Sequence, residues 1–189
     1  MNGFIRIIGG KWRGRKLPVL EHDGLRPTTD RVKETLFNWL MPIIHDASCI
    51  DCFSGSGSLA FEALSRGAKQ AVLIEKNKMA ATQLSKNGQI LQASNIAIFN
   101  TDLFSWLEKG NSNTPSFDIA FIDPPFHQQL VQKSIMCLEN NNWLNDGAYI
   151  YVEAEKNSLQ HSQIPQNWYL HREKVTGQVH SYLFIRETI

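Results

Sequence analysis

The tetrapeptide Asp123-Pro124-Pro125-Phe126 combines a carboxylate, two prolines and an aromatic ring at the end of a short apolar run. Because proline fixes the backbone and lacks an N–H donor, the polar groups that remain are acceptors, the Asp123 carboxylate and the Pro124 carbonyl. Two acceptors can hold the hydrogens of an exocyclic amine on a planar base and accommodate the positive charge that develops on its nitrogen. Phe126 can stack on such a base, and Asp123 can accept the departing proton. The tetrapeptide therefore indicates group transfer to the amine of a nucleobase, while a rigid turn with a helix-capping acid is the simpler alternative.

A glycine-containing segment, Ser54-Gly55-Ser56-Gly57, lies where a predicted strand runs into a predicted helix. Gly55 and Gly57 allow a sharp turn and a close approach of the backbone to a ligand. Glu75 follows Gly55 by 20 residues, at the predicted end of the next strand, where a carboxylate can accept both hydroxyls of a ribose. Strand, glycines, helix and acid together indicate nucleoside binding, although an ordinary tight turn can contain the same Gly-x-Gly.

Two classes of nucleoside cofactor fit this segment. The Gly-x-Gly-x-x-Ala spacing that ends at Ala60 is also found in dinucleotide-binding loops, so NAD remains open. Asp51, just before the glycines, would repel a pyrophosphate and attract a cationic amino acid, which favours S-adenosylmethionine. Asp102, just past the third predicted strand, could accept a hydrogen bond from the adenine amine or could simply cap the helix that follows.

The elements that must position these residues alternate from residue 47 onward. Short apolar runs predict five strands with helical segments between them, which is typical of a parallel sheet with helices on both faces. Two further apolar runs flank Thr176-Gly177-Gln178 and predict an antiparallel hairpin at the sheet edge. The fold predicted is therefore α/β and Rossmann-like, with a mostly parallel seven-stranded sheet. The predicted strands are 48–53, 71–75, 96–99, 117–123, 148–153, 168–175 and 180–186, and the predicted helices are 59–64, 78–91, 103–107 and 130–138.

The N-terminal residues predict a short hairpin followed by a helix. β-Branched residues flank Gly9-Gly10, which is typical of a hairpin with a flexible tip. Thr29 and Asp30 are good capping residues for a helix that should end at Pro42. The apolar stripe of that helix consists of Val32, Leu36, Trp39 and Leu40.

Composition and charge narrow the function classes. The 189 residues, 42% of them hydrophobic, suit one globular domain and no apolar run approaches the roughly 20 residues of a membrane span. We expect no signal peptide. We expect no metal site, because the six histidines lack the spacing of metal ligands. Because there are only three cysteines, we expect the protein to act in a reducing cytoplasm. Residues 1–33 carry eight Lys/Arg and three acids, a net charge of +5, and the remainder carries −4. A basic end on an acidic body suggests a polyanionic partner, although a solvated tail has the same composition.

These motifs together resemble the amino-methylating, S-adenosylmethionine-dependent methyltransferases, whose signatures are the Gly-x-Gly loop and an Asp/Asn-Pro-Pro-aromatic tetrapeptide. More narrowly, the chain resembles the bacterial RsmD family along nearly its whole length. Two departures are mild: Ala60 stands where many relatives have Gly, and Phe126 replaces a frequent Tyr but keeps the ring. The matching segments are Arg6-Ile7-Ile8-Gly9-Gly10-Lys11-Trp12-Arg13-Gly14-Arg15, Arg26-Pro27-Thr28, Asp30-Arg31-Val32-Lys33-Glu34, Asp51-Cys52-Phe53-Ser54-Gly55-Ser56-Gly57, Glu75-Lys76-Asn77 and Asp123-Pro124-Pro125-Phe126.

The resemblance implies methyl transfer from S-adenosylmethionine, with S-adenosylhomocysteine as product, to N2 of a guanine in 16S ribosomal RNA. It implies that the small ribosomal subunit presents the guanine. We expect the protein to be a monomer, with a basic RNA-binding arm at residues 1–28 and a catalytic domain at residues 29–189. The residues expected at the site are Asp123, Pro124 and Phe126 for catalysis; Asp51, Phe53, Ser54, Gly55, Gly57, Glu75, Lys76, Asp102 and Leu103 for the cofactor; and Arg6, Lys11, Arg13, Arg15, Lys16, Arg26, Thr28 and Arg31 for RNA.

Three other functions remain open. An adenine-N6 methyltransferase of DNA or RNA would use the same tetrapeptide, but DNA enzymes usually carry a separate target-recognition domain, for which 189 residues leave little room. An NAD-dependent oxidoreductase would leave the tetrapeptide unexplained. A non-catalytic RNA-binding module would have no need of Asp123.

Overall fold

The computed structural model describes residues 3–20, 29–109, 116–126 and 129–187. Within these residues the strands and helices alternate as the sequence predicts, and most of their ends lie within two residues of the predicted ones. The helices are α1 (Asp30–Leu40), α2 (Ser58–Ser65), α3 (Lys78–Ile90), α4 (Leu103–Leu107) and α5 (Leu130–Asn140), and the strands are β1 (Gly3–Arg6), β2 (Lys16–Val19), β3 (Ser48–Asp51), β4 (Gln70–Glu75), β5 (Ile96–Asn100), β6 (Phe117–Ile122), β7 (Leu144–Glu155), β8 (Trp168–Thr176) and β9 (Val179–Arg186).

Seven strands form one sheet in the order β5-β4-β3-β6-β7-β9-β8. The first five of that order are parallel, while β9 runs antiparallel to both β7 and β8. The predicted fold class, a mostly parallel seven-stranded sheet with an antiparallel C-terminal hairpin, is therefore confirmed. Because the chain moves outward from β3 to β5 and then returns to the other side of β3, the crevice between β3 and β6 is a topological switch point. Open α/β sheets bind ligands beyond the carboxyl ends of strands at such a point.

The largest difference from the predicted boundaries is at the start of β7. The strand begins at Leu144, four residues before the predicted 148, although Asn145, Asp146 and Gly147 are typical turn residues. Leu144 pairs with Phe117, and the register then shifts before Ile119 pairs with Tyr149. The polar residues thus lie in an irregularity of the strand pair, which local propensity does not reveal.

Helices pack on both faces of the sheet, as predicted. One buried cluster joins α1, α2 and α3 to residues such as Ile119, Phe121 and Tyr151 of the sheet. The cluster on the opposite face joins α4 and α5 to residues such as Ile122 and Val152. Since side chains alternate along a strand, neighbouring residues of β6 and β7 serve different clusters.

The N-terminal hairpin is present, with β1 and β2 antiparallel to each other. Its apolar side packs on the α2 side of the domain, where Ile5, Ile7 and Leu17 are buried. At its tip, Gly10 has φ of +72°, and a Cβ there would lie 1.8 Å from the Ser65 carbonyl oxygen. The glycine that the sequence suggests as a flexible tip is therefore required for close packing against α2.

Helix α1 begins after Thr29, whose hydroxyl accepts the Val32 N–H, and it ends before Pro42 as predicted. The face that it buries differs from the predicted stripe. Lys33 and Phe37 are buried with Leu36 and Leu40, whereas Val32 and Trp39 are half-buried. Lys33 turns inward because its ammonium donates to the Arg6 carbonyl and lies 3.5 Å from Asp30. A buried charge with these partners is tolerated where an unpaired one is not.

No helix in the described part of the chain is long and apolar enough to cross a membrane. The longest there, α3, has 13 residues, whereas a span needs about 20.

Candidate active site

The glycine loop connects β3 to α2 at the carboxyl edge of the sheet. Gly57 N–H donates to the Ser54 carbonyl at 2.6 Å, and Ser54 N–H donates to the Ile74 carbonyl at 3.0 Å. Gly57 has φ of +76°, and a Cβ there would lie 2.6 Å from the side chains of Leu84 and Phe61. The loop is therefore a tight turn that needs glycine both for its backbone angle and for its packing.

Asp51 is buried at the end of β3, directly before this loop. Burial raises the pKa of Asp51 to about 7, with a further upward contribution from the charge of Glu75. Hydrogen bonds from the backbone N–H groups of Phe53 and Ala60 oppose this rise in pKa. The carboxyl group is thus balanced between its neutral and ionised forms near neutral pH, and a cation beside it would favour the ionised form.

Glu75 ends β4 and joins the glycine loop to the start of α3. One of its carboxylate oxygens accepts the Gly55 N–H at 2.8 Å, and the other accepts the Asn77 N–H at 2.7 Å. Asn77 in turn caps α3 by accepting from the N–H groups of Met79 and Ala80. The acid predicted to hold a ribose therefore lies against the glycine loop, as its spacing suggests.

Asp102 caps α4, which is the simpler of its two predicted roles. Its carboxylate accepts the Phe104 N–H at 3.0 Å and the Ser105 N–H at 3.3 Å. Burial alone would raise its pKa, but the backbone hydrogen bonds and the Lys76 ammonium, 3.3 Å away, hold the pKa below its usual value. The structure thus brings together Lys76 and Asp102, two of the predicted cofactor residues. Leu103 is buried at the first position of α4.

The tetrapeptide follows β6, next to β3 in the sheet. Asp51 pairs with Phe121, so their side chains lie on one face of the sheet, and Asp123 follows two residues later. Asp123 and Phe126 are half-buried, Pro124 is buried and Pro125 is exposed. Asp51 and Asp123 therefore lie at the carboxyl ends of neighbouring strands, where a bound cofactor and its substrate can meet.

A cavity of about 540 Å³ lies beside the tetrapeptide. Its wall includes Pro124 and Phe126 from the β6–α5 connection and Leu130 at the start of α5. Glu153 near the end of β7 and Leu159 after β7 also line it. Sequence reasoning missed Glu153, which is buried and accepts a hydrogen bond from the Tyr151 hydroxyl at 2.8 Å. Its position at the end of a predicted strand, like that of Asp123, is the signal that could have found it.

The predicted RNA-binding residues within the described ranges lie on the hairpin and at the start of α1. All six of them are exposed, which suits contact with phosphates: Arg6, Lys11, Arg13, Arg15, Lys16 and Arg31. Two of these side chains also form hydrogen bonds inside the protein. Arg6 Nε donates to the Asp30 carboxylate at 3.0 Å, and the Arg15 guanidinium donates to the Ile90 carbonyl at 3.0 Å. Arg26 and Thr28 lie outside the described residues.

No group of three or more His, Cys, Asp or Glu side chains in the described ranges could hold a metal ion. Cys49 and Cys52 are both buried and free. Burial raises the pKa of both thiols. A protonated, enclosed thiol packs as a small apolar side chain, as expected for these two residues.

A family model and a curated relative point to the same protein family. The family model described as "Conserved hypothetical protein 95" matches residues 5–185. The Ribosomal RNA small subunit methyltransferase D of Escherichia coli strain K12 is 55% identical over 188 residues, covering 98% of this chain and 92% of that protein.

Two solved structures are similar to this chain over nearly its whole length. The Escherichia coli protein yhhF has a TM-score of 0.89 and 52% identity, covering 98% of this chain and 99% of that one. A Haemophilus influenzae structure has a TM-score of 0.86 and 47% identity, covering 98% of this chain and 100% of that one. The chain therefore belongs to the family of the ribosomal RNA small subunit methyltransferases D, the RsmD family, and is a methyltransferase.

Proposed function

We propose that this protein transfers a methyl group from S-adenosylmethionine to the exocyclic N2 of a guanine in 16S ribosomal RNA. The observation that carries the proposal is the position of the glycine loop and of the tetrapeptide that begins at Asp123. They follow the carboxyl ends of the adjacent strands β3 and β6. Family membership supports it, because the Escherichia coli relative is named a ribosomal RNA small subunit methyltransferase.

The residues of the glycine loop fit S-adenosylmethionine better than a dinucleotide. Asp51 offers a buried carboxyl group to a cationic amino acid and would oppose a pyrophosphate. Ser58, the first residue of α2, has a buried hydroxyl without a hydrogen-bond partner in the described part of the chain. That hydroxyl suits the carboxylate of a methionine moiety, and Glu75 suits the ribose hydroxyls. When bound, this cofactor supplies an electrophilic methyl group and leaves as S-adenosylhomocysteine.

The tetrapeptide would hold and activate the amine. The Asp123 carboxylate and the Pro124 carbonyl accept hydrogen bonds from the two N2 hydrogens, which increases electron density on the nitrogen. Phe126 stacks on the base, so that the nitrogen stays in line with the methyl group. Asp123 accepts the proton that N2 loses as the N–C bond forms. No covalent intermediate with the protein is needed.

The basic hairpin would guide the RNA. Exposed cations such as Arg13 and Lys16 suit backbone phosphates, which bind any sequence and orient the strand. The target guanine must leave its stack to enter the crevice. The proposal includes a monomeric enzyme, the assembling small subunit as its substrate and the cytoplasm as its compartment, with residues 1–28 as the RNA-binding arm and 29–189 as the catalytic domain.

A labelled transfer assay tests the proposal. The protein is incubated with methyl-labelled S-adenosylmethionine and with small-subunit RNA or particles that lack the modification. One portion of the RNA is digested to nucleosides to identify the modified base, and a second portion is digested to oligonucleotides to map its position. Labelled N2-methylguanosine at one position of 16S RNA supports the proposal. Labelled N6-methyladenosine would show that the target base is adenine and not guanine. Absence of transfer from all of these substrates would contradict a methylating role on this RNA.

A further inference from the structure

Glu153 lies beside Asp123 at the carboxyl edge of the sheet. In the parallel pair β6 and β7, Phe121 is opposite Tyr151 and Ile122 is opposite Val152. Glu153 is the next residue of β7, and Asp123 directly follows the last residue of β6; the backbones of these neighbouring strands lie about 4.8 Å apart. By the alternation of side chains along β7, Glu153 belongs to the face that carries Tyr151, and Asp123 is close enough for its charge to raise the pKa of the same Tyr151.

The Glu153 carboxylate accepts a hydrogen bond from a buried, neutral phenol. The Tyr151 hydroxyl donates to it at 2.8 Å, and the same hydroxyl lies 3.1 Å from the Ser181 hydroxyl. Burial raises the pKa of Tyr151, and the charges of Glu153 and Asp123 add to the rise, so the phenol stays protonated. Glu153 is only 7% exposed. Its position is therefore fixed before any ligand binds, as a recognition group requires.

Glu153 is also one of the residues that line the cavity beside the tetrapeptide, together with Pro124 and Phe126. A base that stacks on Phe126, with its amine at Asp123 and Pro124, would present the rest of its edge toward β7. Hydrogen-bonding groups on that part of the wall decide which base is accepted.

We infer that Glu153 accepts the N1–H of the target guanine while Asp123 and Pro124 hold the adjacent N2 amine, so that Glu153 selects guanine over adenine. The inference rests on the function proposed above. Guanine presents two neighbouring donors, N1–H and N2–H, which match two neighbouring carboxylates. Adenine presents its N6 amine next to N1, which is an acceptor. Adenine N1 would face the Glu153 carboxylate without a hydrogen, and this arrangement is disfavoured by repulsion and by an unmade hydrogen bond.

The test compares two bases that differ at N1 but share the amine at C2. The RNA carries either guanine or 2-aminopurine at the methylated position mapped in the transfer assay; 2-aminopurine has an N1 acceptor in place of N1–H. We expect the wild-type protein to prefer guanine by about 100-fold in kcat/KM, because N1 of 2-aminopurine brings a lone pair instead of a hydrogen to the Glu153 carboxylate. In Glu153→Gln the side-chain amide can donate to N1 of 2-aminopurine. We expect this variant to lose about 100-fold on guanine and to show little or no preference for it.

Glu108→Gln is the matched control, since Glu108 is an exposed acid at the end of α4, outside the wall of this cavity, and should leave the preference for guanine unchanged. Tyr151→Phe is the second variant, useful if Glu153→Gln unfolds; it keeps the carboxylate and should reduce the preference several-fold. Binding of S-adenosylhomocysteine should change less than about threefold in each variant. A wild-type preference for guanine that persists in both Glu153→Gln and Tyr151→Phe would overturn the inference and leave the proposed function standing. A wild-type protein that forms no N2-methylguanosine would overturn both.

Discussion

The Glu75 carboxylate accepts the backbone N–H of Gly55 at 2.8 Å, and this hydrogen bond ties the end of β4 to the glycine loop of β3. Its second oxygen accepts the Asn77 N–H at 2.7 Å. A single acidic side chain therefore shapes the loop, and in the proposed function it also offers an acceptor to a ribose. Loss of this side chain should affect both tasks.

We expect Glu75→Ala to weaken cofactor binding by about 10- to 100-fold, because Gly55 N–H loses its partner and the ribose loses an acceptor. Isothermal titration with S-adenosylhomocysteine measures the effect. The control is Glu108→Ala, which removes an exposed acid at the end of α4 and should leave the affinity unchanged. Equal affinities of the Glu75 and Glu108 variants would show that the acid has no part in cofactor binding.

Gly57→Ala should destabilise the fold by roughly 2–5 kcal/mol, since a left-handed backbone angle is combined with a collision against Leu84 and Phe61. The control is Gly177→Ala at the β8–β9 turn, where φ is +61° but nothing lies within 4 Å of the added Cβ. That control should lose only about 1–2 kcal/mol. Urea unfolding curves of both variants check the difference, and a Gly57 variant no less stable than the Gly177 variant would contradict the packing described for the loop.

The pH dependence of cofactor affinity should follow Asp51. Burial raises its pKa to about 7, and a cationic ligand binds the ionised carboxylate. Affinity for S-adenosylmethionine should therefore be fully developed above pH 7 and fall by up to about tenfold for each unit below it. Titrations between pH 5.5 and 8.5 check this. Asp51→Asn should bind weakly and with a flat profile over the same range, so a wild-type profile that is equally flat would exclude Asp51 as the partner of the cation.

The same carboxyl group should influence stability in the free protein. Its pKa rises from 3.8 to about 7 on folding, so the folded chain holds an additional proton between these values. The contribution of Asp51 to stability is therefore present below about pH 4 and is lost as the pH rises through 7. Asp51→Asn should remove that loss, and unfolding free energies of the two proteins at pH 5 and pH 8 measure it.

RNA binding should depend on the hairpin cations. Arg13→Ala combined with Arg15→Ala should weaken binding to small-subunit RNA, and each lost phosphate contact should reduce the slope of log Kd against log salt by about 0.7–0.9. The control is Lys109→Ala, an exposed cation just after α4, on the opposite face of the sheet from the hairpin. An unchanged salt slope in the double variant would contradict the proposed role of the hairpin.

Much of the fold was predictable because its signals are local. Apolar runs and helical periodicity located each strand and helix of the sheet. The 20-residue spacing from Gly55 to Glu75 singled out two residues that the structure then shows in contact. The burial of Lys33 was not predictable, since it depends on the Arg6 carbonyl, 27 positions away along the chain. The early start of β7 also depends on a partner strand, through the pairing of Leu144 with Phe117.

The candidate site was predictable to a similar degree. Residues inside contiguous motifs, such as Asp51 and Asp123, are recognisable because their neighbours show the turn or strand end that presents them. Glu153 also ends a predicted strand but lies in no recognisable motif, and its relation to Asp123 follows only from the register of β6 and β7. Residues that reach a site from a separate strand require the sheet order as well as the sequence.

Asp123→Ala gives the most direct test of the central claim, that the Asp123 side chain activates the amine. The substitution removes the acceptor, whereas Asp123→Asn would keep a side-chain oxygen that can still accept from the amine. We predict that single-turnover formation of N2-methylguanosine falls by about 100- to 1000-fold while the Kd for S-adenosylhomocysteine changes less than about threefold. Transfer at the wild-type rate, or equal losses of transfer and cofactor affinity, would contradict the account.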